Sequence, residues 1–362
     1  MYIDKLGFPR VTLSNVPTPF EEAPRFAEAL GGPRVFLKRD DVTALALGGN
    51  KARKLEFLLG DALQKKCDTV ITTGGPQSNH ARMTAAAARR AGLHPVLVLD
   101  GEDPGVRQGN LLLDHILGAE LIFSGERPAE DVMSEVGEGM RKEGKRPYLV
   151  PLGGSSSIGT LGYIGCASEI VKDCARLKIR PKAVYLATGS SGTLAGLVLG
   201  KLLNGASFLV QGVAVSPDAV RKEARAEELV LNALGLIRDK LEGLDVQERL
   251  TWPASGLEKI RERVSMLFNE NTEAIRKNIS VTEDFVGPGY GIPTREGLEA
   301  IFSLARTEGV ITDPVYSGKA LACLMAHIRQ GLYSKDDVVV FLHTGGAPAD
   351  FAYSDIFFKE RI

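Results

Sequence analysis

The sequence is poor in cysteine, and the cysteines that it has are scattered. Cys67, Cys166, Cys174 and Cys323 are the four present, and none of them belongs to a Cys-x-x-Cys pair. This pattern excludes the usual spacing of zinc sites and of dithiol redox sites, so we expect no bound metal. It favours free thiols in a reducing compartment.

Long apolar runs and an excess of basic charge are absent too. No stretch of 18 or more apolar residues occurs, which argues against a membrane-spanning helix. The first residues lack the apolar core of a secretion signal, so we expect a cytoplasmic protein. With 44 Lys+Arg against 45 Asp+Glu the formal net charge is -1, which argues against a nucleic-acid partner. Neither a membrane nor a nucleic acid is predicted as a partner.

Three common catalytic or nucleotide-binding signatures are missing as well. No Gly-x-Ser-x-Gly elbow occurs, which weakens a serine-hydrolase interpretation. The glycine-rich segment 188–193 lacks both the Gly-Lys-Ser/Thr of a nucleotide P-loop and the full Gly-x-Gly-x-x-Gly spacing of a dinucleotide site. Any ligand-binding role of that segment therefore has to come from other chemistry.

What is present is a regular alternation of strand-like and helix-like segments. Apolar, β-branched runs predict strands at 34–38, 69–73, 95–99, 121–123, 183–187, 208–215 and 338–342. Helical apolar spacing predicts helices over 52–66, 79–91, 106–117, from about 192, and over most of 217–280 with a break at 252–253. Such a rhythm is typical of parallel sheets covered by helices.

The length of 362 residues, of which 44 % are hydrophobic, is enough for two domains. We predict an α/β fold of two three-layer domains with mostly parallel sheets. Residues 51–160 would form the small domain, and residues 1–50 plus 161–362 the large, cofactor-binding one. The loops after the strands would then meet in the crevice between them.

Lys51 is the most informative candidate residue. It follows Gly48-Gly49-Asn50 and opens a predicted helix. The positive end of the helix dipole disfavours a cationic lysine, which lowers the pKa of its amine and favours the neutral nucleophile. Most lysines are ordinary surface charges, but this setting suits a lysine that forms an imine with an aldehyde cofactor.

Two further segments lie where predicted strands meet predicted helices. Thr188-Gly189-Ser190-Ser191-Gly192-Thr193 offers hydroxyls and backbone N–H groups to a phosphate, although an ordinary glycine-rich turn explains it about as well. Gln77-Ser78-Asn79-His80 offers donors to a substrate carboxylate, and Ser78 is at the same time a normal helix cap. Both segments suit an amino acid and a phosphorylated cofactor.

Two tyrosines and a threonine complete the set of candidates. Tyr290 and Tyr316 lie in glycine- and proline-rich segments, where a single tyrosine is usually a core residue with a satisfied hydroxyl. Thr344 precedes Gly345-Gly346 and could place a hydroxyl beside a ring nitrogen, although a tight turn alone would also explain the glycines.

Together these segments resemble the fold type II pyridoxal-phosphate enzymes, whose fold is that of the tryptophan synthase β chain. The most similar branch contains D-cysteine desulfhydrase and 1-aminocyclopropane-1-carboxylate (ACC) deaminase. The motifs that carry the resemblance, in order along nearly the whole chain, are 17–19, 38–41, 48–51, 77–80, 152–155, 287–291, 313–316 and 343–346.

The resemblance implies pyridoxal 5'-phosphate (PLP) as the cofactor, a small amino acid as the substrate and a homodimer as the assembly. Lys51 would be the Schiff-base lysine and would move the α proton. The cofactor phosphate would be bound, with help from Lys54, by Thr188, Gly189, Ser190, Ser191, Gly192 and Thr193. Asn79 would form a hydrogen bond to the phenolic oxygen of the cofactor, and Ser78, within the run Gln77 to His80, would bind the substrate carboxylate. Tyr290 and Tyr316 would contact substrate and cofactor.

Ser317 and Thr344 separate the two activities of this branch. ACC deaminases typically carry glutamate and leucine at these positions, so the pair here resembles the desulfhydrases, with Ser317 as a further substrate-binding residue. A hydroxyl stabilises a protonated pyridine less than a carboxylate does, and a neutral pyridine is a weaker electron sink. We therefore expect β-elimination, with D-cysteine giving pyruvate, hydrogen sulfide and ammonia. ACC deamination, L-cysteate sulfo-lyase activity and a non-catalytic binding protein are the alternatives.

Overall fold

The computed structural model describes residues 3–245, 248–249, 251–253, 256–269 and 272–359. Its strands are β1 Phe20–Glu22, β2 Arg34–Arg39, β3 Thr69–Gly74, β4 His94–Leu99, β5 Glu120–Phe123, β6 Pro147–Val150, β7 Ala183–Thr188, β8 Leu209–Ala214, β9 Ser280–Thr282 and β10 Val338–His343. Its helices are α1 Pro24–Leu30, α2 Lys51–Gln64, α3 Asn79–Arg90, α4 Gly109–Ile116, α5 Ala129–Lys142, α6 Ser157–Leu177, α7 Gly192–Asn204, α8 Ala219–Gly243, α9 Gly256–Asn269, α10 Thr272–Arg276, α11 Arg295–Glu308, α12 Ser317–Arg329 and α13 Ser354–Lys359.

The described residues form two sheets. The larger one has six strands in the order β1-β2-β10-β7-β8-β9, all parallel except that β1 runs antiparallel to β2. The smaller one has four parallel strands in the order β5-β4-β3-β6. This confirms the predicted α/β fold with mostly parallel sheets.

The strands predicted from apolar runs all occur, with ends displaced by a residue or so. The short strands β1, β6 and β9 were not predicted; unlike the similarly short β5, which contains the apolar run 121–123, they were not singled out as apolar runs. All strands of the smaller sheet fall inside the segment 51–160. The boundaries at residues 50 and 160 stay a prediction.

The described part of 217–280 is helical, as expected. It contains α8, α9 and α10, and Trp252-Pro253 lies between α8 and α9. Searched over the ranges given above, the structure has no helix that is both long and apolar enough to cross a membrane.

Helices α6 and α7 pack very closely beneath the larger sheet. Glycines on α7 permit this contact: a Cβ on Gly196 would lie 2.4 Å from the Cβ of Tyr163, and a Cβ on Gly200 would lie 2.6 Å from the Cβ of Ala167. Because α7 follows directly after β7, this packing fixes the turn between them.

Arg53 of α2 is the centre of a buried ion cluster. Its guanidinium pairs with Asp40 at 2.8 Å and with Glu169 of α6 at 2.7 Å. The Tyr163 hydroxyl also donates to Asp40, at 2.6 Å. Burial opposes ionisation of Asp40, but the charge and hydrogen bonds of Arg53 outweigh it and lower the pKa of this carboxyl. The cluster ties the first turn of α2 to the end of β2 and to α6.

Replacing Arg53 by methionine should destabilise the fold strongly. Asp40 would stay buried without the guanidinium that pairs with it, which typically costs about 3–5 kcal/mol, whereas Glu169 would keep its ion pair with Lys38 at 2.7 Å. Urea unfolding followed by circular dichroism measures this loss. Arg176→Met is the matched control on α6, because Arg176 is 64 % exposed and pairs with Asp173 at the surface; its effect should stay within about 1 kcal/mol. Equal effects of the two substitutions would contradict the central role of Arg53.

Candidate active site

A cavity of about 330 Å³ opens where the carboxyl ends of strands from both sheets meet. Residues directly after β3, β4, β7, β8 and β10 contribute to its wall, as is usual for ligand sites of parallel sheets. The side chains that matter for chemistry are Asn50, Lys51, Lys54, Ser78, Asn79, His80, Asp100, Thr188, Ser190, Ser191, Thr193, Tyr290, Tyr316 and Thr344.

Lys51 is the first residue of α2 and lines this cavity. Its Nζ donates to Oδ1 of Asn50 at 2.9 Å, and Nδ2 of Asn50 donates to Oγ1 of Thr193 at 3.0 Å. One amide therefore connects the lysine to the glycine-rich turn.

The pKa of Lys51 is lowered to about 8. Burial is the main cause; Asp313 opposes it, and the charge of Arg82 adds to it. The direction agrees with the expectation from the sequence, but desolvation rather than the helix end accounts for most of it. A substantial neutral fraction of the amine is thus present near neutral pH.

The turn from Thr188 to Thr193 has the features of an anion cradle. Thr188 ends β7, Ser191 turns the chain with a φ of 65°, and α7 begins at Gly192. The first turn of a helix leaves N–H groups free for an anion. Oγ1 of Thr188 is buried and has no hydrogen-bond partner among the residues that the structure describes.

Lys54 supplies the positive charge of this cradle. Its Nζ donates to the carbonyl of Gly153 at 3.1 Å and to Oγ of Ser155 at 3.3 Å. A Cβ on Gly192 would lie 2.8 Å from that Nζ, so glycine at this position leaves room for the ammonium group where it stands. Burial and the charge of Lys51 hold the pKa of Lys54 well below its ordinary value. A phosphate dianion would offset that cost, so these residues fit the phosphate of PLP.

The start of α3 faces the same cavity. Oγ of Ser78 accepts the N–H of Ala81 at 3.2 Å, so Ser78 is the helix cap and a cavity residue at once. Oδ1 of Asn79 accepts from Nδ2 of Asn110 at 3.0 Å, which leaves the NH₂ end of Asn79 as the donor for a ligand. Nε2 of His80 bonds to Oγ1 of Thr72 at 2.8 Å.

His80 is held neutral. Burial, followed by the charges of Lys51 and Lys54, keeps its pKa well below the usual value. A neutral imidazole beside two lysines adds no further positive charge to the cavity.

Three residues predicted for the site do not line the cavity in the described structure. The side chain of Gln77 instead bonds to the carbonyl of Gln108 at 3.1 Å and to the N–H of Asn110 at 2.9 Å. Gly192 lies behind the cradle, and its N–H donates to Ser155 at 3.2 Å. Ser317 is fully buried and donates to Asp313 at 2.5 Å.

Tyr290 and Tyr316 meet at the mouth of the cavity. Their hydroxyls share a hydrogen bond, and their rings lie edge to face with centroids 5.9 Å apart. Burial raises the pKa of both, most strongly that of Tyr316, so each hydroxyl stays protonated. Lys319 of α12 donates to the carbonyls of Val286 at 2.6 Å and Gly289 at 3.1 Å, which anchors the loop of Tyr290.

Thr344 follows β10 and lines the cavity as expected. Its carbonyl accepts the N–H of Asn50 at 2.9 Å, so it also fixes the segment before Lys51.

Asn50 and Asp100 contribute to the site but were not singled out from the sequence. Asn50 stands beside Lys51, and Asp100 directly follows β4, at the edge where ligand-facing residues of parallel sheets lie. That position was the signal that could have identified Asp100. Partial burial raises the pKa of its carboxyl.

Comparison with known proteins agrees with this geometry. The family model described as pyridoxal-phosphate dependent enzyme matches residues 11–345. A putative ACC deaminase of Pyrococcus abyssi is 40 % identical over 355 residues, which are 96 % of this chain and 94 % of the relative. A D-cysteine desulfhydrase of Klebsiella pneumoniae is 38 % identical over 358 residues, which are 96 % of each chain.

One solved structure belongs to the same group, and a second one shares the fold. The crystal structure of an ACC deaminase homologue is 34 % identical, with a TM-score of 0.81 and coverage of 99 % of this chain and 98 % of that one. Diaminopropionate ammonia lyase of Escherichia coli in apo form shares the fold at 16 % identity, with a TM-score of 0.65 and coverage of 99 % and 91 %. The chain therefore belongs to the pyridoxal-phosphate dependent enzymes, in the group of ACC deaminases and D-cysteine desulfhydrases.

Proposed function

We propose that this PLP-dependent enzyme eliminates the β substituent of a small amino acid, with D-cysteine as its main substrate. The observation that carries the proposal is that Thr344 lines the cavity directly after β10; among the described residues of the cavity wall Asp100 is the one acidic residue, and it follows β4 of the other sheet. Asp313 lies beneath the same loop, but its oxygens accept three backbone N–H groups and the Ser317 hydroxyl. This environment favours a neutral pyridine, which suffices when the β substituent is a good leaving group.

Each step has a residue suited to it. Bound PLP supplies a sink for the electron pair left at the α carbon. Lys51 holds the cofactor and, once free, takes the α proton, for which a pKa of about 8 leaves enough neutral amine. Ser78 and the free N–H groups of α3 hold the substrate carboxylate. The C–S bond breaks, hydrosulfide leaves, and the released enamine reacts with water to give pyruvate and ammonia.

ACC deamination is the second candidate, because one curated relative and one solved structure carry that name. Ring opening starts from a substrate without an α proton, and we expect it to need a stronger electron sink than Thr344 supports. The positions of Lys51, Lys54 and both tyrosines argue against a non-catalytic binding protein. A homodimer stays a prediction from the resemblance, and a cytoplasmic location stays a prediction from the sequence.

Asp100 argues against L-cysteate as the substrate. Its carboxylate lines the cavity, and no ion pair of its side chain occurs within the described ranges. A sulfonate would bring a second negative charge close to it, which is unfavourable in a partly buried site.

The substrate preference of the enzyme can be measured directly. Holoenzyme should release pyruvate and sulfide from D-cysteine much faster than it releases keto acid from D-serine, L-cysteate or ACC. Coupled lactate dehydrogenase and a sulfide assay measure these rates. Faster 2-oxobutanoate release from ACC than pyruvate release from D-cysteine would make the enzyme a deaminase instead.

Lys51→Ala should abolish both turnover and the absorbance band of lysine-bound cofactor, because no other amine would take its place. After borohydride treatment the wild type should retain the cofactor covalently and the variant should not. Lys65→Ala, directly after the end of the same helix, is the matched control, since Lys65 is 58 % exposed and pairs with Asp61. Cofactor retained on the variant by another lysine would exclude Lys51 as the anchor.

Asp100→Asn should relax the selection against a second anion. We expect KM for L-cysteate, or the Ki if it only inhibits, to fall about tenfold while KM for D-cysteine changes little, since one like charge is removed. Asp103→Asn is the control in the same loop, because Asp103 pairs with Arg107 at 2.6 Å and does not belong to the cavity wall as described. No gain for the sulfonate would remove Asp100 from the selection.

A further inference from the structure

The segment before Lys51 has an unusual backbone. Ala44, Ala46 and Leu47 have φ values of 74°, 43° and 67°, and Gly48 and Gly49 follow with 76° and 132°. Left-handed conformations are unfavourable for residues with a side chain and persist only where their surroundings enforce them. Contacts with the rest of the protein must therefore hold this segment in place. Because the segment leads directly into Lys51, the same contacts determine where Lys51 lies in the cavity.

Arg82 holds the segment together with the Thr43 hydroxyl, which bonds to the N–H and to the carbonyl of Gly49 at 2.9 Å each. Arg82 lies on α3, is fully buried, and donates through Nη1 to the carbonyl of Ala46 at 2.5 Å and through Nη2 to that of Gly48 at 3.1 Å. The helix that presents Ser78 and Asn79 at its start thus also holds the loop that presents Lys51.

The charge of Arg82 is only loosely balanced. Its counter-ion is Asp114 of α4, which is fully buried, yet within the ranges described neither Asp114 oxygen has a hydrogen-bond partner, and nor has Nε of Arg82. Burial lowers the pKa of Arg82 to about 10 and raises that of Asp114 to about 8, each opposed by the other's charge. An interior cation without a close anion acts on other charges nearby.

We propose that Arg82 is a positioning residue for Lys51, because its two bonds to loop carbonyls hold the left-handed segment that places the lysine in the cavity. A second effect accompanies the first: the positive charge of Arg82 disfavours the protonated amine of Lys51. The inference rests on the proposed role of Lys51 and not on the identity of the substrate.

Cofactor uptake by the apoenzyme separates the two effects. Imine formation needs the neutral amine, so the rate at which the bound-cofactor absorbance appears should rise with pH and level off above the pKa of Lys51. The pH at the midpoint of this rise reports the charge around the Lys51 amine. The plateau rate at high pH reports how well the amine is positioned in the cavity. Wild type should have a midpoint near the pKa of about 8.

Arg82→Gln should change both quantities. Loss of the positive charge raises the midpoint towards that of an ordinary lysine, and each unit of the rise slows uptake at pH 7 about tenfold. Loss of the two-pronged grip lowers the plateau. Asp313, Lys54 and His80, which also couple to Lys51 or lie beside it, are the same in both proteins.

Arg82→Lys keeps the charge but not the two-pronged geometry. Its midpoint should stay near that of the wild type, while its plateau falls about tenfold or more, since small misplacements of a reacting group are costly. Arg89→Gln is the matched control, because Arg89 is exposed on the same helix and also donates to carbonyls, at Leu117 and Gly118. It should change neither quantity.

Two results would overturn the proposal. One is folded Arg82→Gln with the midpoint and plateau of the wild type. The other is Arg82→Lys with an unchanged plateau, which decides the matter even if the glutamine variant does not fold. Circular dichroism of each apoprotein establishes folding, and a failure of D-cysteine turnover alone would leave both readouts intact.

Discussion

The buried pairing of Arg53 with Asp40 and Glu169 is the constraint on which the site depends. Asp40 follows β2 of the larger sheet, Glu169 belongs to α6, and Arg53 stands in the first turn of α2. The cluster therefore fixes the positions of β2, α2 and α6 relative to one another, although these elements come from distant parts of the chain. Since Lys51 and Lys54 flank Arg53, the same cluster sets where both amines stand with respect to the cradle after β7.

Two lysines in one small cavity create an excess of positive charge that the neighbouring side chains do not balance. The pKa values of both are lowered, by burial above all, and His80 beside them is kept neutral. Asp100, the acidic residue among those described in the cavity wall, is at its exposed side. The interior end of the cavity therefore has too little negative charge to balance the two lysines. The phosphate of a bound cofactor would supply that charge beside Lys54 and the N–H groups at the start of α7.

The sequence was sufficient for the fold and for most of the cavity wall, because both depend on local patterns. Apolar runs between glycine-rich turns locate the central strands, and polar residues directly after such strands are bound to meet at one edge of a parallel sheet. Gln77 and Ser317 show where this reasoning ends. Each is adjacent to a cavity residue, but Asn110, which is distant in sequence, binds the side chain of Gln77, and Asp313, four residues before Ser317, binds the hydroxyl of Ser317. The roles of Asn50 and Arg82 likewise follow from contacts that no periodicity encodes.

The close packing of α7 against α6 limits which amino-acid substitutions the protein can accept during evolution. Gly192, Gly196 and Gly200 follow one another at intervals of four along a single face, and each makes room for a different neighbour: the Lys54 ammonium, Tyr163 and Ala167. An added methyl group at Gly196 or Gly200 would collide with Cβ and backbone atoms of α6 and would push α7 outward, and its first turn with it. The distance between the axes of α6 and α7 therefore sets the size of the anion cradle. Substitutions at the buried glycines of α7, although far from any ligand, are for this reason constrained by the function of the site at the start of the helix.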